Sequence, residues 1–391
     1  MNFSFTRIVS LLLLLAFFGM HCTVAYAQES NDGIQLTKKE KKEKAIREGK
    51  LLISPYAAPS YSPELSLNLA GGLLFTFRTS QRDTALPRSS APLSFTISTN
   101  GSFILSSFPT TFWFHDKLRI NAALQYRNQK DNYFGVGYEN GLNTLYPDST
   151  TYKRKYWQLQ AKPMYRISKK IFLGVNVDFN NTMATDVNAH MSKDPDYLLY
   201  GPNNYNAGVG LAVSLDTRDF PQNAYKGLFL NYTITYFGLI GGDNDYKVSD
   251  LEYRQYFNVN KTKPGRILAV IFKGRYCFDS IPYGELSYVG SPNDIRGYRI
   301  GRFRDHFTNF IVAEYRHKFQ GSSFIAQRSG MVTWLGFGAL APDLEDSFTK
   351  NTLPNIGVGY RFEVQPRLNI RVDFGLGRES NGLYFGFQEA F

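Results

Sequence analysis

The side chains that carry chemistry most often give little purchase here. His115, His190, His306 and His317 share no spacing that would bring two imidazoles onto one metal ion, so each is expected to be a loop or interfacial residue. No Gly-x-Ser-x-Gly elbow occurs anywhere, and with it goes the expectation of a serine lipase. Cys277 falls in a strand-like pattern and reads as an inert apolar position, since a reactive thiol requires exposure. No catalytic residue, no metal and no cofactor is therefore expected, and the chain is not expected to be an enzyme. What stands out is arginine: Arg296, Arg299, Arg302 and Arg304 crowd one long connection, close behind Gly290-Ser291-Pro292-Asn293-Asp294. A guanidinium offers five donors and cannot give up its charge, so any arginine withdrawn from water must find partners.

The elements that would position those arginines begin after an export signal. Arg7, the apolar run 8–20 and the small-residue pattern Ala25-Tyr26-Ala27 read as a cleavable leader over 1–27. The run falls short of the roughly 20 residues a membrane-spanning helix needs. Lipid attachment at Cys22 is disfavoured because His21 stands where the lipoprotein pattern wants a small residue. Residues 28–49 are dense in charge around Lys38-Lys39-Glu40-Lys41-Lys42-Glu43-Lys44 and lack an apolar stripe, so a short solvated tail is expected, with at most a transient helix. The net charge of +11 fits solvation and anionic lipid headgroups better than nucleic acid, which an exported chain does not meet.

From residue 50 to 391 the chain reads as one all-β domain. Aromatics make up 16% of the sequence, with 32 Phe, 26 Tyr and 33 Gly, which suits many strands bordered by aromatic girdles. Once a leader is removed a single cysteine is left, so no internal disulfide is expected. Leu368, Ile370, Val372, Phe374 and Leu376 fall on one face and Asn369, Arg371, Asp373, Gly375 and Gly377 on the other, a period of two that no helix produces. Trp157 to Ile167 and Ile171 to Phe179 alternate in the same way. A soluble sandwich would also alternate, but both its inner faces must be apolar, whereas the second face here carries charge and glycine. The reading is therefore a closed, transmembrane, antiparallel β-barrel in a bacterial outer membrane, apolar toward lipid and polar toward the lumen.

About sixteen strands are expected: 50–60, 64–78, 90–99, 102–114, 117–127, 153–167, 170–182, 204–218, 227–239, 247–259, 265–278, 306–319, 329–341, 352–364, 367–377 and 382–391. Pro55, Pro59 and Pro63 make the first two the least secure, arguing for an edge or a loop, and fourteen strands is the alternative. An even count puts both ends on the periplasmic side together with turns such as 115–117 and 168–169. The long connections 128–152, 183–203 and 279–305 then face outward.

The last of these carries a family resemblance. Ile295-Arg296-Gly297-Tyr298 resembles the Val/Ile-Arg-Gly-Phe/Tyr pattern of the BamA/TamA outer-membrane superfamily, the bacterial surface antigen barrels. Asp216, Arg218 and Asp219, followed by a turn and Gly227, resemble the family's Asp-x-Arg-Asp periplasmic turn. Ala313-Glu314-Tyr315-Arg316 is similar to the strand that follows the loop. The resemblance implies that the outward loop folds back into the lumen and that Arg296 docks on the inner wall. Glu314 is the expected partner, because it alternates with Ile311, Ala313, Tyr315 and Phe319, which want the lipid side. The family often adds an aspartate on the next strand; Gly336 occupies that place, so docking is expected to rest more heavily on Glu314. Phe385, Phe387 and Phe391 read as a C-terminal assembly signal on the last strand.

The resemblance also implies function. Such barrels insert or move proteins through a weak seam between first and last strands, and those that do so usually carry periplasmic POTRA modules, for which 28–49 is too short. The expected partners are outer-membrane lipid, client outer-membrane or surface proteins, and a periplasmic partner supplying the missing module, with no nucleic acid. The alternative is a passive or structural barrel: a plugged pore, or a subunit of an envelope complex.

Overall fold

The computed structural model describes residues 38–62, 65–144, 150–221, 223–260 and 265–391. The expected leader 1–27 and residues 28–37 of the charged segment behind it lie outside the described residues. The chain divides into two compact units, 1–44 and 45–391. Of the first, residues 38–44 are described and are helical, opening the helix Lys38–Arg47. That is more order than a solvated tail implies. Within the second unit, the carbonyls that end this helix have partners: Arg88 Nη1 donates to Ile46 O at 3.2 Å and Arg78 Nη1 to Arg47 O at 2.8 Å. Bonds of this kind satisfy the orphan carbonyls that make an isolated short helix marginal.

The second unit is antiparallel sheet. Its strands are β1 (Leu52–Ser62), β2 (Ser66–Phe77), β3 (Ser89–Ser98), β4 (Phe103–Ser107), β5 (Thr110–Trp113), β6 (Leu118–Asn132), β7 (Thr151–Arg166), β8 (Ile171–Thr185), β9 (Asn203–Asp216), β10 (Gly227–Asn258), β11 (Arg266–Phe278), β12 (Ser287–Val289), β13 (Phe303–Asp305), β14 (Phe307–Lys318), β15 (Ser329–Ala341), β16 (Leu353–Gln365), β17 (Leu368–Leu376) and β18 (Asn381–Phe387). All but β12 and β13 form one 16-stranded sheet in which strands pair in chain order, except that β4 and β5 both lie between β3 and β6 and do not pair with each other. Two details adjust the bookkeeping of crossings. The single strand expected over 102–114 breaks at Phe108-Pro109 into β4 and β5, where proline removes a ladder donor. Conversely, β10 is a hairpin: its first half pairs with β9 and its second with β11. Phe237 stacks on Tyr246 with ring centroids 4.6 Å apart, and Arg254 lies over Phe229, which fixes the fold-back near Gly241-Gly242.

The prolines of β1 find their explanation at the edge. β1 pairs with β2 from Leu52 to Ser62, so Pro55 and Pro59 are tolerated where one side of the strand makes no ladder. At the other end of the sheet, β17 pairs with β18 over seven residues, from Ile370 with Phe387 to Leu376 with Asn381. β1 and β18 lie side by side, completing the barrel, yet no ladder joins them among the described residues.

The alternation decides which face meets lipid. Leu173 and Val175 on β8, Leu211 and Val213 on β9, Ile311 and Tyr315 on β14, Leu335 and Phe337 on β15, and Ile356 and Val358 on β16 all point outward and are exposed. Inward positions between them are buried and polar on one side of the barrel, as with Asn176, Asp178 and Asn180, and charged on the other, as with Glu314, Arg361 and Asp373. In water this outer surface would be an extended apolar patch; in a bilayer it is the solvated face. No described helix is long and apolar enough to cross a membrane.

Candidate functional site

The connection 279–306 enters the barrel from the end that bears the long loops. A small hairpin, β12 against β13, holds its base, with Arg304 O accepting from Gly137 N at 2.7 Å. Arg304 Nη1 donates to Tyr283 O at 2.6 Å, and the Tyr133 and Tyr283 rings meet 4.5 Å apart above the lumen. Arg302 ties the loop outward, donating to Gly141 O at 2.8 Å and to Glu379 at 3.0 Å.

Beyond the hairpin each member of Ile295-Arg296-Gly297-Tyr298 has a seat. Ile295 is fully buried and fills the space that a side chain at Gly338 of β15 would occupy, since a Cβ there would lie 2.6 Å from its Cδ1. Arg296, Glu314 and Asp373 are each 0% exposed in their side chains. The guanidinium of Arg296 donates to Glu314 on β14 through Nη2 and to Asp373 Oδ2 on β17 through Nη1, the latter at 2.7 Å. Its flat face rests 3.6 Å above the ring of Trp334 on β15, an attraction of about 0.5–2 kcal/mol when water is excluded. Gly297 has φ of +116°, and a Cβ on it would come 2.6 Å from Gly377 N, so only glycine lets the loop press against β17. Its N–H donates to Tyr384 OH of β18 at 3.0 Å. Tyr298 lies on Gly377, donates its hydroxyl to Pro354 O at 2.6 Å and accepts from Arg378 N at 2.9 Å.

The two acids are themselves shared. Arg316 Nε reaches Glu314 Oε2 at 3.0 Å, Arg371 Nη1 reaches Asp373 Oδ2 at 3.2 Å, and Arg361 bonds Asp373 through Nη1 and Glu389 Oε2 through Nε, the last at 2.7 Å. Arg371 also grips the loop directly through Pro292 O at 2.9 Å and Asn293 Oδ1. Four guanidiniums thus face three carboxylates inside the barrel, Arg296 coming from the loop, Glu389 from the residues after β18 and the rest from β14, β16 and β17, a network in which no charge is buried alone. The position where the family places a second acid is Gly336, and its space is taken by the side chain of Asn355, which donates to Arg296 O at 3.0 Å. Docking does not rest on Glu314 alone, because Asp373 on β17, two strands beyond Gly336, supplies the second carboxylate.

The turn motif also closes on itself. Asp216 accepts from Arg218 Nε at 2.9 Å and from Arg119 Nη1 at 2.6 Å, and Asp219 caps the turn by accepting from Tyr225 N at 2.9 Å. Gly227 has φ of +106°, and a Cβ there would stand 2.4 Å from Thr217 O. The three C-terminal aromatics do not share one strand. β18 ends at Phe387, Gln388 takes φ of +67°, and the chain turns into the lumen. Phe385 faces outward, whereas Phe391 is buried with Tyr256 and Ile267, its backbone oxygen accepting from Arg316 Nη2 at 2.9 Å. The strand expected over 382–391 is shorter by that inward turn.

A polar-lined barrel with an apolar outer face, plugged by a loop whose arginine is clamped between carboxylates of two strands, defines a class of outer-membrane-type proteins. The chain belongs to the Omp85 superfamily, whose domain model matches residues 89–335. Among solved structures it is similar to BamA from Haemophilus ducreyi lacking POTRA domains 1–3, with a TM-score of 0.55 and 12% identity over 86% of this chain and 69% of that one. CdiB from Acinetobacter baumannii is similar with a TM-score of 0.52 and 12% identity over 92% of this chain and 69% of the other. CdiB from Escherichia coli gives 0.53 and 10% over 85% and 59%. At such identities the likeness is one of fold. No curated protein matches the chain in sequence.

Proposed function

We propose that this barrel takes part in the insertion, assembly or translocation of proteins at the outer membrane, using the junction of β1 and β18 as an openable seam. The observation that carries this reading is the ladder missing there: among the described residues, the other neighbouring strands of the sheet are joined by hydrogen-bonded ladders, whereas these two lie side by side without one. Hydrocarbon cannot satisfy the backbone groups along such a junction, so they are a standing template for an added strand. The latch supports the same division of labour. Through bonds to Glu314, Asp373, Asn355 and Tyr384, Arg296 and Gly297 bind β14, β16, β17 and β18 into one body, and none of these four bonds reaches β1. Opening at β1 therefore leaves the loop docked. Clients would be outer-membrane or surface polypeptides, delivered by a periplasmic partner.

The filled lumen favours a second reading, a passive plugged barrel within an envelope complex. Depletion of the protein followed by a census of the outer membrane separates the two. Loss of other barrels or of surface proteins supports the first; an unchanged census, with only permeability altered, supports the second.

A further inference from the structure

The turn between β9 and β10 leaves its own side of the barrel. Asp219 Oδ2 accepts from Arg367 Nη2 at 3.1 Å, Asn223 O accepts from Arg367 Nη1 at 2.8 Å, and the Tyr225 ring lies 3.4 Å from the same guanidinium. Arg367 belongs to the turn between β16 and β17. In the sheet the second half of β10, β11, β14 and β15 stand between these two turns, so contact is possible only across the mouth. Residues 217–221 and 223–226 belong to a strap, and Arg367 is its buckle.

Beneath the strap is a cavity of about 40 Å3, lined by Asn223 and Tyr225 above and by Arg316, Arg361 and Glu389 within. That is room for roughly two or three waters by this measure, or for one carboxylate group. Arg316 and Arg361 are each 4% exposed, and each keeps one guanidinium nitrogen, Nη1 and Nη2 respectively, without a hydrogen-bond acceptor. Two cations that cannot discharge, each with an unpartnered donor and both lining a small half-open space, make an oxyanion site. The chain's own residues indicate the ligand. Glu389 Oε2 takes Arg361 Nε at 2.7 Å, Glu389 Oε1 takes Asn369 Nδ2 at 2.6 Å, Phe391 O takes Arg316 Nη2 at 2.9 Å, and the Phe391 ring lies 5.0 Å from the Arg316 guanidinium.

We propose that the strapped cavity is a receptor for an acidic and aromatic peptide segment, filled in cis by Glu389 to Phe391 and opened to an incoming polypeptide of the same chemistry when the Arg367 buckle releases. Only the description of that polypeptide as a client rests on the function proposed above. Binding can be read without any insertion activity, so the two ideas fail separately.

The test uses the full chain in detergent micelles and a fluorescent peptide, Gln-Glu-Ala-Phe, followed by anisotropy. Glu389→Gln weakens the cis occupant and should tighten peptide binding about tenfold, roughly the effect of one charge-assisted contact. Arg367→Ala, on an exposed turn away from the lumen network, should speed association several-fold with little change in dissociation. A peptide with Gln in place of Glu should lose most of its affinity, and inorganic phosphate should compete. Equal binding of the Glu and Gln peptides, or no response to either Glu389→Gln or Arg367→Ala in protein that keeps its heat-resistant gel mobility, overturns the proposal. Phosphate binding without peptide binding reduces the cavity to an adventitious ion only and overturns it as well.

Discussion

Removing Glu314 should cost more than removing Arg296, the residue at the centre of the latch. The latch holds Arg296, Arg316, Arg361 and Arg371 against Glu314, Asp373 and Glu389. Glu314→Ala leaves four guanidiniums on two carboxylates, and it strips Arg296 and Arg316 of a shared acceptor in a site closed to water. Breaking a buried pair in this way costs about 3–5 kcal/mol. Arg296→Ala leaves three cations on three anions. Glu314 keeps Arg316 at 3.0 Å, and Asp373 keeps Arg361 and Arg371, so only the hydrogen bonds and the contact with Trp334 are lost. That loss is about 1.5–3 kcal/mol. The double variant should fall short of the sum of the singles by about 0.5–3 kcal/mol, because both touch one network. Denaturant unfolding from lipid vesicles measures all three, with Trp334 fluorescence reporting the latch. Equal costs for the two single variants, or strict additivity, would refute the charge-balance reasoning.

Other expectations follow from the same geometry. Gly297→Ala places a methyl 2.6 Å from Gly377 N in a left-handed backbone conformation and should undock the loop at a cost of about 1–3 kcal/mol, seen as new trypsin cleavage at Arg299. Tyr384→Phe strands the buried Gly297 N–H and should destabilise by about 1–3 kcal/mol while leaving the loop in place. Leu335→Arg, at a position 54% exposed in the middle of β15, should cost about 2–4 kcal/mol in vesicles and almost nothing in the efficiency of refolding into short-chain detergent.

The sequence carries the wall of the barrel more plainly than its contents. A strand buried by lipid on one face and polar within must alternate, and β17, β15 and β8 do so without interruption. The two halves of the hairpin 227–258 are separable in the sequence for the same reason. Breaks in the wall come from backbone chemistry: Phe108-Pro109 splits a strand, and the left-handed Gln388 turns the last residues inward, though glutamine gives no cue for that conformation. Inside, Arg296 with Glu314 is legible because loop and strand each carry a pattern. Asp373 is not, since it lies on β17, two strands from Gly336, where the resemblance directs attention. A retrospective signal exists in the inward positions of successive strands, where Glu314 and Arg316, Arg361, then Arg371 and Asp373 form a belt of alternating sign. The strap has no such signature, because Arg367 meets Asp219 and Tyr225 only once the barrel has brought opposite rims together.

On the function proposed, β1 and β18 form a junction able to receive another chain while the rest of the wall stays zipped. A photo-crosslinking side chain placed at Ile53 on β1, in cells producing outer-membrane proteins, tests it most directly, with the same probe at Leu335 on β15 as the comparison. Adducts with newly made outer-membrane polypeptides are expected at Ile53 and none at Leu335. Adducts at neither position, or equally at both, would contradict it.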